Sequence, residues 1–364
     1  MNKKSIEISL LKDTEIDEVN RLHNLLYREN RNKEEFLWEF YQAPAGKAIF
    51  VVAKDAETQK IIGTQCAIPI EVENCNGDFI LTAKSEDTLV HPDYRGLNVF
   101  ENMYQLLFEE CRKAGIKYIW GFTSAKKPFL KLGFEIPFDH SQSLLTLKML
   151  SAYQYLSRLN SKNNTLSLIK IFALCALSRL SSFKRHFILQ YDERFQYSIY
   201  EKPDLKDNSE LLNGALQSGF IIRQNLSFIR WRLTNNPYHK KIYSISFSLD
   251  SKIAANMIFN YHEGGVWYLT NELYSKEISN KQRVVLFNQA LKLLLIKENK
   301  KVDLIRTWDF THNDQGINEI AIRKRAGFIH LDKGISFVWK SLDDNNILLA
   351  TDFILSRIAS QGVI

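Results

Sequence analysis

The chain has 364 residues, 45% hydrophobic and 24% charged, with only 15 Gly and 7 Pro. That composition excludes a disordered, collagen-like or low-complexity protein, and at roughly 150 residues per domain the length predicts about two domains. The formal charge of +7 suits a polyanionic ligand such as a phosphorylated cofactor, a nucleotide sugar or RNA. No run of like charges is long enough to read as a nucleic-acid tail, so a nucleic-acid partner is not expected. Cys66, Cys75, Cys111 and Cys175 show no CxxC or Cys/His spacing, so neither a zinc site nor a disulfide framework is expected, and no metal is assigned. Met1 to Lys12 is charged and lacks the apolar core of a signal peptide, which makes the cytoplasm the expected compartment.

Taken in order, Ile6 to Leu11 is strand-like, and Asp13 to Asn30 predicts an amphipathic helix with Ile16, Val19, Leu22 and Leu26 on one stripe. Glu34 to Tyr41 predicts a short helix ended by Pro44 and Gly46. Strands are expected at Ile49 to Lys54, Ile61 to Val72 and Phe79 to Val90. A helix over Phe100 to Ala114 carries Met103, Leu106, Leu107 and Cys111 at core spacing and is capped by Gly115. Ile116 to Phe122 reads as a strand, Lys127 to Leu132 as a helix ended by Gly133-Phe134, and Ser143 to Met149 as the last strand of this region.

Ser151 to Arg194 has helical but no strand signal and reads as a connector. Its most apolar stretch, Leu166 to Leu180, is interrupted by Lys170 and Arg179 and is too short to span a bilayer. The basic Lys184 and Arg185 that follow leave weak association with a membrane surface open. Beyond it come a strand at Tyr197 to Tyr200, helices at Leu205 to Gln217 and Ser227 to Leu233, and strands at Ile242 to Ser248, Ile253 to Tyr261 and Val266 to Leu273. A helix at Asn280 to Lys297, a strand at Leu304 to Phe310, a helix at Asn318 to Arg325 and a strand at Ile335 to Trp339 complete the order.

The order restarts in a way that predicts an internal repeat. Trp38 precedes Pro44 by the same six residues that separate Trp231 from Pro237, and Gly133-Phe134 and Gly327-Phe328 follow at matching distances. Trp38 and Trp231 are expected in the core. Asp309, His312 and Asp314 are expected on a solvated loop, and Lys126 and Lys127 as solvated helix-start lysines.

The stretch most informative about chemistry is Leu89-Val90-His91-Pro92-Asp93-Tyr94-Arg95-Gly96-Leu97-Asn98-Val99-Phe100. A strand ends, the backbone turns, and a helix begins, so free N–H groups beside an arginine can hold phosphate. Neither a Walker loop nor GxGxxG occurs. With the element order, this stretch resembles the GNAT superfamily of acyl-CoA-dependent N-acyltransferases, whose fourth strand runs into V-x-P-x-Y-R-G-x-G-x-G/A. Val90, Pro92, Tyr94, Arg95 and Gly96 match, and Gly121-Phe122-Thr123-Ser124 and Lys131-Leu132-Gly133-Phe134 resemble later family segments. The likeness covers about residues 5–150, with residues 197–340 matching in element order alone.

The resemblance implies an α/β fold with a mixed sheet, built as two tandem GNAT-like domains: 1–150 binding acyl-CoA, a helical connector at 151–195, and 196–364 without the phosphate loop. It implies acetyl-CoA, or another acyl-CoA, as co-substrate at Leu89, Val90, Arg95, Gly96, Leu97, Asn98, Val99, Phe100, Ser124 and Phe129. The partner is then a small-molecule amine, such as an amino sugar or a nucleotide-linked amino sugar. Two family glycines fall on Asn98, which tolerates a left-handed backbone, and on Phe100, which must point into the core. The family's general-acid Tyr falls on Phe129, which cannot protonate a thiolate, so that role passes to water, another Tyr or nothing. Glu86 or Asp87, late on the fourth strand, is expected as general base, and strand alternation lets only one face the acceptor. Pairing of the carboxylate with Lys84 is the structural alternative, and His91 is a rival base. A Fem-like aminoacyltransferase using aminoacyl-tRNA and a non-catalytic CoA-binding scaffold are the competing functions. Oligomeric state is not readable.

Overall fold

The computed structural model describes residues 5–74, 76–160, 164–187, 192–202, 211, 219–238, 241–332, 334–343 and 348–360. Its strands are β1 (Ile6–Leu10), β2 (Ile49–Asp55), β3 (Ile61–Asn74), β4 (Phe79–Val90), β5 (Tyr118–Thr123), β6 (Ser141–Thr146), β7 (Gln196–Tyr200), β8 (Phe220–Ile222), β9 (Ile242–Leu249), β10 (Lys252–Tyr261), β11 (Val266–Tyr274), β12 (Leu304–Asp309), β13 (Ile329–Leu331), β14 (Ser336–Ser341) and β15 (Phe353–Ile354). Its α-helices are α1 (Ile16–Tyr27), α2 (Lys33–Phe36), α3 (Val99–Lys113), α4 (Lys126–Lys131), α5 (Met149–Arg158), α6 (Thr165–Ser181), α7 (Leu226–Ile229), α8 (Asn280–Lys297) and α9 (Asp314–Arg325). The helix expected over Leu205 to Gln217 and the expectation for Cys75 lie outside the described residues.

The chain forms two compact units. The first comprises residues 1–139, 221–223 and 335–351. Its sheet runs β1-β2-β3-β4-β5-β14, with β8 beside β3. All pairs along that path are antiparallel except β4 with β5. Helix α3 buries Met103, Tyr104, Leu107 and Cys111 against Val51, Ala53, Ile62 and Ile119 of the sheet. That is the stripe its 3.6-residue spacing dictates, and it is what fixes the helix over the sheet.

The second unit comprises residues 140–220, 224–334 and 352–364. Its sheet runs β13-β6-β12-β11-β10-β9-β7. Helix α8 buries Phe287, Leu291 and Leu294 against Tyr243, Phe247, Met257 and Ile305. Helices α5 and α6 belong to this unit, where Ala152, Tyr155 and Cys175 pack with Leu144 and Leu304.

The repeat is visible in the structure. Asn32 caps α2, accepting from the Glu35 amide, and the chain then widens into a π-turn at Leu37–Tyr41. Asn225 caps α7, accepting from the Phe228 amide, and runs into the same π-turn at Arg230–Thr234. Trp38 and Trp231 sit in these turns and are buried.

Three expectations are corrected. Ser143 to Met149 does not close the first domain: β6 pairs with β12 and β13 in the second unit. Reciprocally, β14 pairs with β5 in the first unit. Each sheet thus receives its strand next to the fifth from the other half of the sequence, and the domain edge falls at 139 rather than 150. The apolar segment is longer than Leu166 to Leu180, because a 3-10 turn (Ser182–Phe187) extends α6 to 23 continuous residues. Finally, Asp309 is not solvated. It is buried against Arg323, His330 and Ser143, while the His312 ring bonds the Phe353 carbonyl oxygen at 2.8 Å.

Candidate active site

The site forms where β4 and β5 part. Their parallel pairing covers Thr82–Lys84 and Tyr118–Trp120, and beyond it a cleft of ≈ 730 Å³ opens between the strand ends and the start of α3. Gly121 stands at the fork. A Cβ there would meet the Ser85 carbonyl oxygen at 3.0 Å, tighter than nine in ten such contacts, so any other residue would press the two strands apart at the root of the splay.

The far end of the cleft is the loop read from sequence. Gly96 has φ +80 and Asn98 φ +57, so two left-handed residues turn the chain into α3. Asn98 is the N-cap of α3 but makes no side-chain cap bond, which leaves first-turn amides of a 15-residue helix for an external anion. Tyr94 ties the loop down by donating to Asp55 at 2.6 Å. Arg95 is exposed at the rim, its Nε 3.4 Å from the Val90 carbonyl oxygen. Phe100 meets the expectation that it points inward, its ring tilted 4.8 Å from Tyr104 and edge-on 5.5 Å from Phe129.

The second unit differs at the equivalent helix. Ser279 caps α8 in a reciprocal box with Gln282, which satisfies amides that are uncapped in α3. Past the parallel β11–β12 pairing, the buried guanidinium of Arg323 bonds Glu272, Asp309 and Glu319.

Of the candidate site residues, Glu86, Asp87, Val90, Arg95, Gly96, Asn98, Val99, Phe100, Ser124 and Phe129 line the cleft. Leu89 and Leu97 do not: Leu89 is buried in the sheet and Leu97 is turned outward. His91 is not in the cleft either; its ring accepts from the Asp93 amide and caps the turn. Lys126 pairs with Asp139 at 3.0 Å.

Glu86 and Asp87 both reach the cleft, against strict alternation. Pairing shifts register between Thr64 and Cys66, and Asp87 takes a left-handed φ of +50. This bulge resets the period of two and turns two successive carboxylates to one place. The two are electrostatically distinct. Asp87 is buried and bonded by both arms of Arg31, at 3.0 and 3.1 Å, and by His23 at 2.8 Å. Burial pushes its carboxyl up, but Arg31 and the His23 bond outweigh it and hold it at about 2. Glu86 is more open, its side chain 31% exposed, and it ion-pairs with the buried Lys84.

Sequence reasoning missed the surroundings of this pair. Arg31 and His23 come from α1 and the turn after it, far away along the chain. Glu39, half-buried on the first π-turn, is pushed up to about 7 by burial, with Arg31 opposing and Glu86 and Asp87 adding to the rise. Beneath the cleft lies a hydroxyl network: Tyr104 Oη is 2.8 Å from Ser85 Oγ, Gln65 donates to Ser85 Oγ at 3.0 Å, and Thr88 donates to Gln65. Tyr104 was legible only as a core aromatic, although Ser85 and Thr88 line the cleft.

The duplicated element order, the splayed parallel strands and the uncapped helix start define a duplicated α/β fold with a cleft at the splay of its first sheet. Residues 7–136 match the Acetyltransferase (GNAT) domain. Among solved structures, the chain is similar to a tandem GNAT protein from the clavulanic acid biosynthesis pathway, at 12% identity and TM-score 0.60, over 93% of this chain and 99% of that one. It is also similar to a probable N-acyltransferase from Enterococcus faecalis, at 11% identity and TM-score 0.62, over 93% and 73% of the two chains. Saccharomyces cerevisiae N-myristoyltransferase with bound myristoyl-CoA is similar at 16% identity and TM-score 0.58, over 92% and 80%. No curated protein matches by sequence. The chain thus has the fold of a tandem GNAT protein, and the match to the GNAT domain model lies within its first unit.

Proposed function

We propose that the protein is an N-acyltransferase that moves an acyl group, acetyl in the simplest case, from acyl-CoA to a primary amine of a small molecule. The observation that carries this reading is the cleft rooted at Gly121 and closed by the uncapped N-terminus of α3. The residues fit the co-substrate. Gly96, Asn98 and Arg95 would hold the pyrophosphate, and the fork between β4 and β5 would take the pantetheine arm. The co-substrate supplies an activated thioester, and the protein supplies placement and proton transfer.

Glu86 is the residue assigned to take the proton from the acceptor ammonium, because it is the more open carboxylate at the cleft, although it must give up part of its pairing with Lys84 to do so. Asp87, held ionised by Arg31 and His23, is a poor proton acceptor and instead fixes the bulge that presents Glu86. With Phe129 unable to donate, the Ser85 hydroxyl, hydrogen-bonded to Tyr104, is assigned to donate a hydrogen bond to the departing thiolate, which takes its proton from water.

An acceptor screen with acetyl-CoA, reading free thiol, tests the proposal. Glu86→Gln is expected to lower kcat at least tenfold while leaving the acetyl-CoA Kd unchanged. Binding without thiol release for any amine would favour the non-catalytic scaffold, and salt-sensitive tRNA binding would favour the aminoacyl-tRNA reading. Likeness to a protein holding myristoyl-CoA supports a second reading with a longer acyl donor. A panel of acyl-CoA chain lengths in the same assay distinguishes the two.

A further inference from the structure

Helix α6 has a face that the second unit does not cover. Leu166, Ile169, Phe172, Leu177 and Leu180 are exposed, the last two at 60% and 65%, and Phe183 and Phe187 continue the face past the helix end. Leu150 of the neighbouring α5 and Leu159 at its C-cap are exposed too, and Tyr153 of α5 meets Phe172 edge-on at 5.7 Å. The opposite side of α6 is anchored. Cys175 and Ser178 are buried, and Ser178 Oγ accepts from the Thr146 amide at 2.9 Å on the neighbouring β6.

The charge on this segment has one sign. From Asn164 to Phe187 there is no Asp or Glu, whereas Lys170, Arg179, Lys184 and Arg185 are basic. Among the described residues, none of Lys170, Arg179 and Lys184 pairs with a carboxylate; Arg179 lies over the Phe183 ring at 4.6 Å and donates to Ser182. Uncompensated cations bordering exposed leucines and phenylalanines match the two attractions of a lipid interface, apolar insertion and anionic headgroups.

We propose that the α5–α6 face docks flat on an anionic membrane surface. By length and composition the 165–187 segment could cross a bilayer, but the Ser178 anchor to β6 and the burial of Cys175 hold one side of it on the protein. It therefore lies in the interface plane. A second copy on the same face would set two groups of uncompensated cations against each other, which disfavours self-association there.

Co-sedimentation of the full chain with phosphatidylcholine vesicles, with and without phosphatidylglycerol, tests this. Binding is expected only with phosphatidylglycerol and is expected to fall as salt rises. Lys170→Gln with Lys184→Gln should weaken it by about fivefold for each charge removed. Leu177→Asp with Leu180→Asp should abolish it. Both positions are exposed, so circular dichroism and acyl-CoA affinity should not change. Equal binding to neutral vesicles, no binding to either, or a dimer that Leu177→Asp dissociates would each overturn the proposal.

Discussion

Arg31 and Asp87 form a two-point ion pair, at 3.0 and 3.1 Å, buried behind the candidate base. The second unit holds the same two places with a neutral pair. Gln224 immediately precedes the capping Asn225 as Arg31 precedes Asn32, and Asn271 lies five residues past the first β11–β12 pair as Asp87 does past the first β4–β5 pair. Asn271 donates to Gln224 at 2.9 Å. The duplication thus preserved the contact and changed its chemistry.

Asp87→Asn should destabilise the first unit by about 3–5 kcal/mol, because it leaves Arg31 charged and buried without its counter-ion. Arg31→Gln in the same chain rebuilds the pair found in the second unit and should restore much of that loss, with a coupling energy of about 2–3 kcal/mol. Urea unfolding of the four chains of the cycle measures it. Simple additivity would mean that the pair is not an energetic unit.

The same cluster sets a pH window. Asp87 is held at about 2 against an ordinary 3.8, so between those values the unfolded chain binds more protons. Its stabilisation is complete above 3.8 and is lost as pH falls through about 2. Burial lowers the His23 pKa, but the Asp87 bond and charge outweigh it and raise it above 6.5, so its contribution is full below 6.5 and is lost as pH rises through the native value. Urea midpoints measured across pH should lose their acid limb in Asp87→Asn and their alkaline limb in His23→Gln. Unaltered limbs would contradict the assignment.

Much of the fold was legible because burial imposes period: β4 (Phe79–Val90) and α8 (Asn280–Lys297) have the limits expected from sequence, and the Trp-to-Pro landmarks exposed the repeat. The exchange of β6 and β14 was not legible, since an apolar strand carries no mark of which sheet it completes. The cleft-lining loop could be read because its chemistry is local. The Arg31–Asp87–His23 cluster could not, because its members are 56 and 64 residues apart and meet only through a bulge that alternation does not foresee. Asp309 looked solvated because its counter-ion Arg323 approaches from the following helix, α9, a contact that spacing alone does not mark.

Gly121→Ala should reduce acyl-CoA affinity at least tenfold. Its Cβ would press on the Ser85 carbonyl at 3.0 Å, and relief requires β4 and β5 to move where the cleft begins. Competition binding with a fluorescent CoA derivative reads the change. An unaltered Kd would show that the fork does not hold the pantetheine arm.

Tyr104→Phe removes the hydroxyl 2.8 Å from Ser85. If the Ser85–Tyr104 pair stabilises the departing thiolate by a hydrogen bond, kcat should fall about tenfold or more with the acyl-CoA Kd unchanged. Stopped-flow thiol release provides the rate. A loss of stability alone, with kcat intact, would leave Tyr104 a packing residue.

Calorimetric titration of the chain with acetyl-CoA bears most directly on the assignment of the co-substrate to the first unit. One equivalent per chain is expected, weakened by about 1–3 kcal/mol in Arg95→Ala and unaffected by Glu277→Gln beside the capped start of α8. Saturation at two equivalents, or an unchanged dissociation constant in Arg95→Ala, would contradict it.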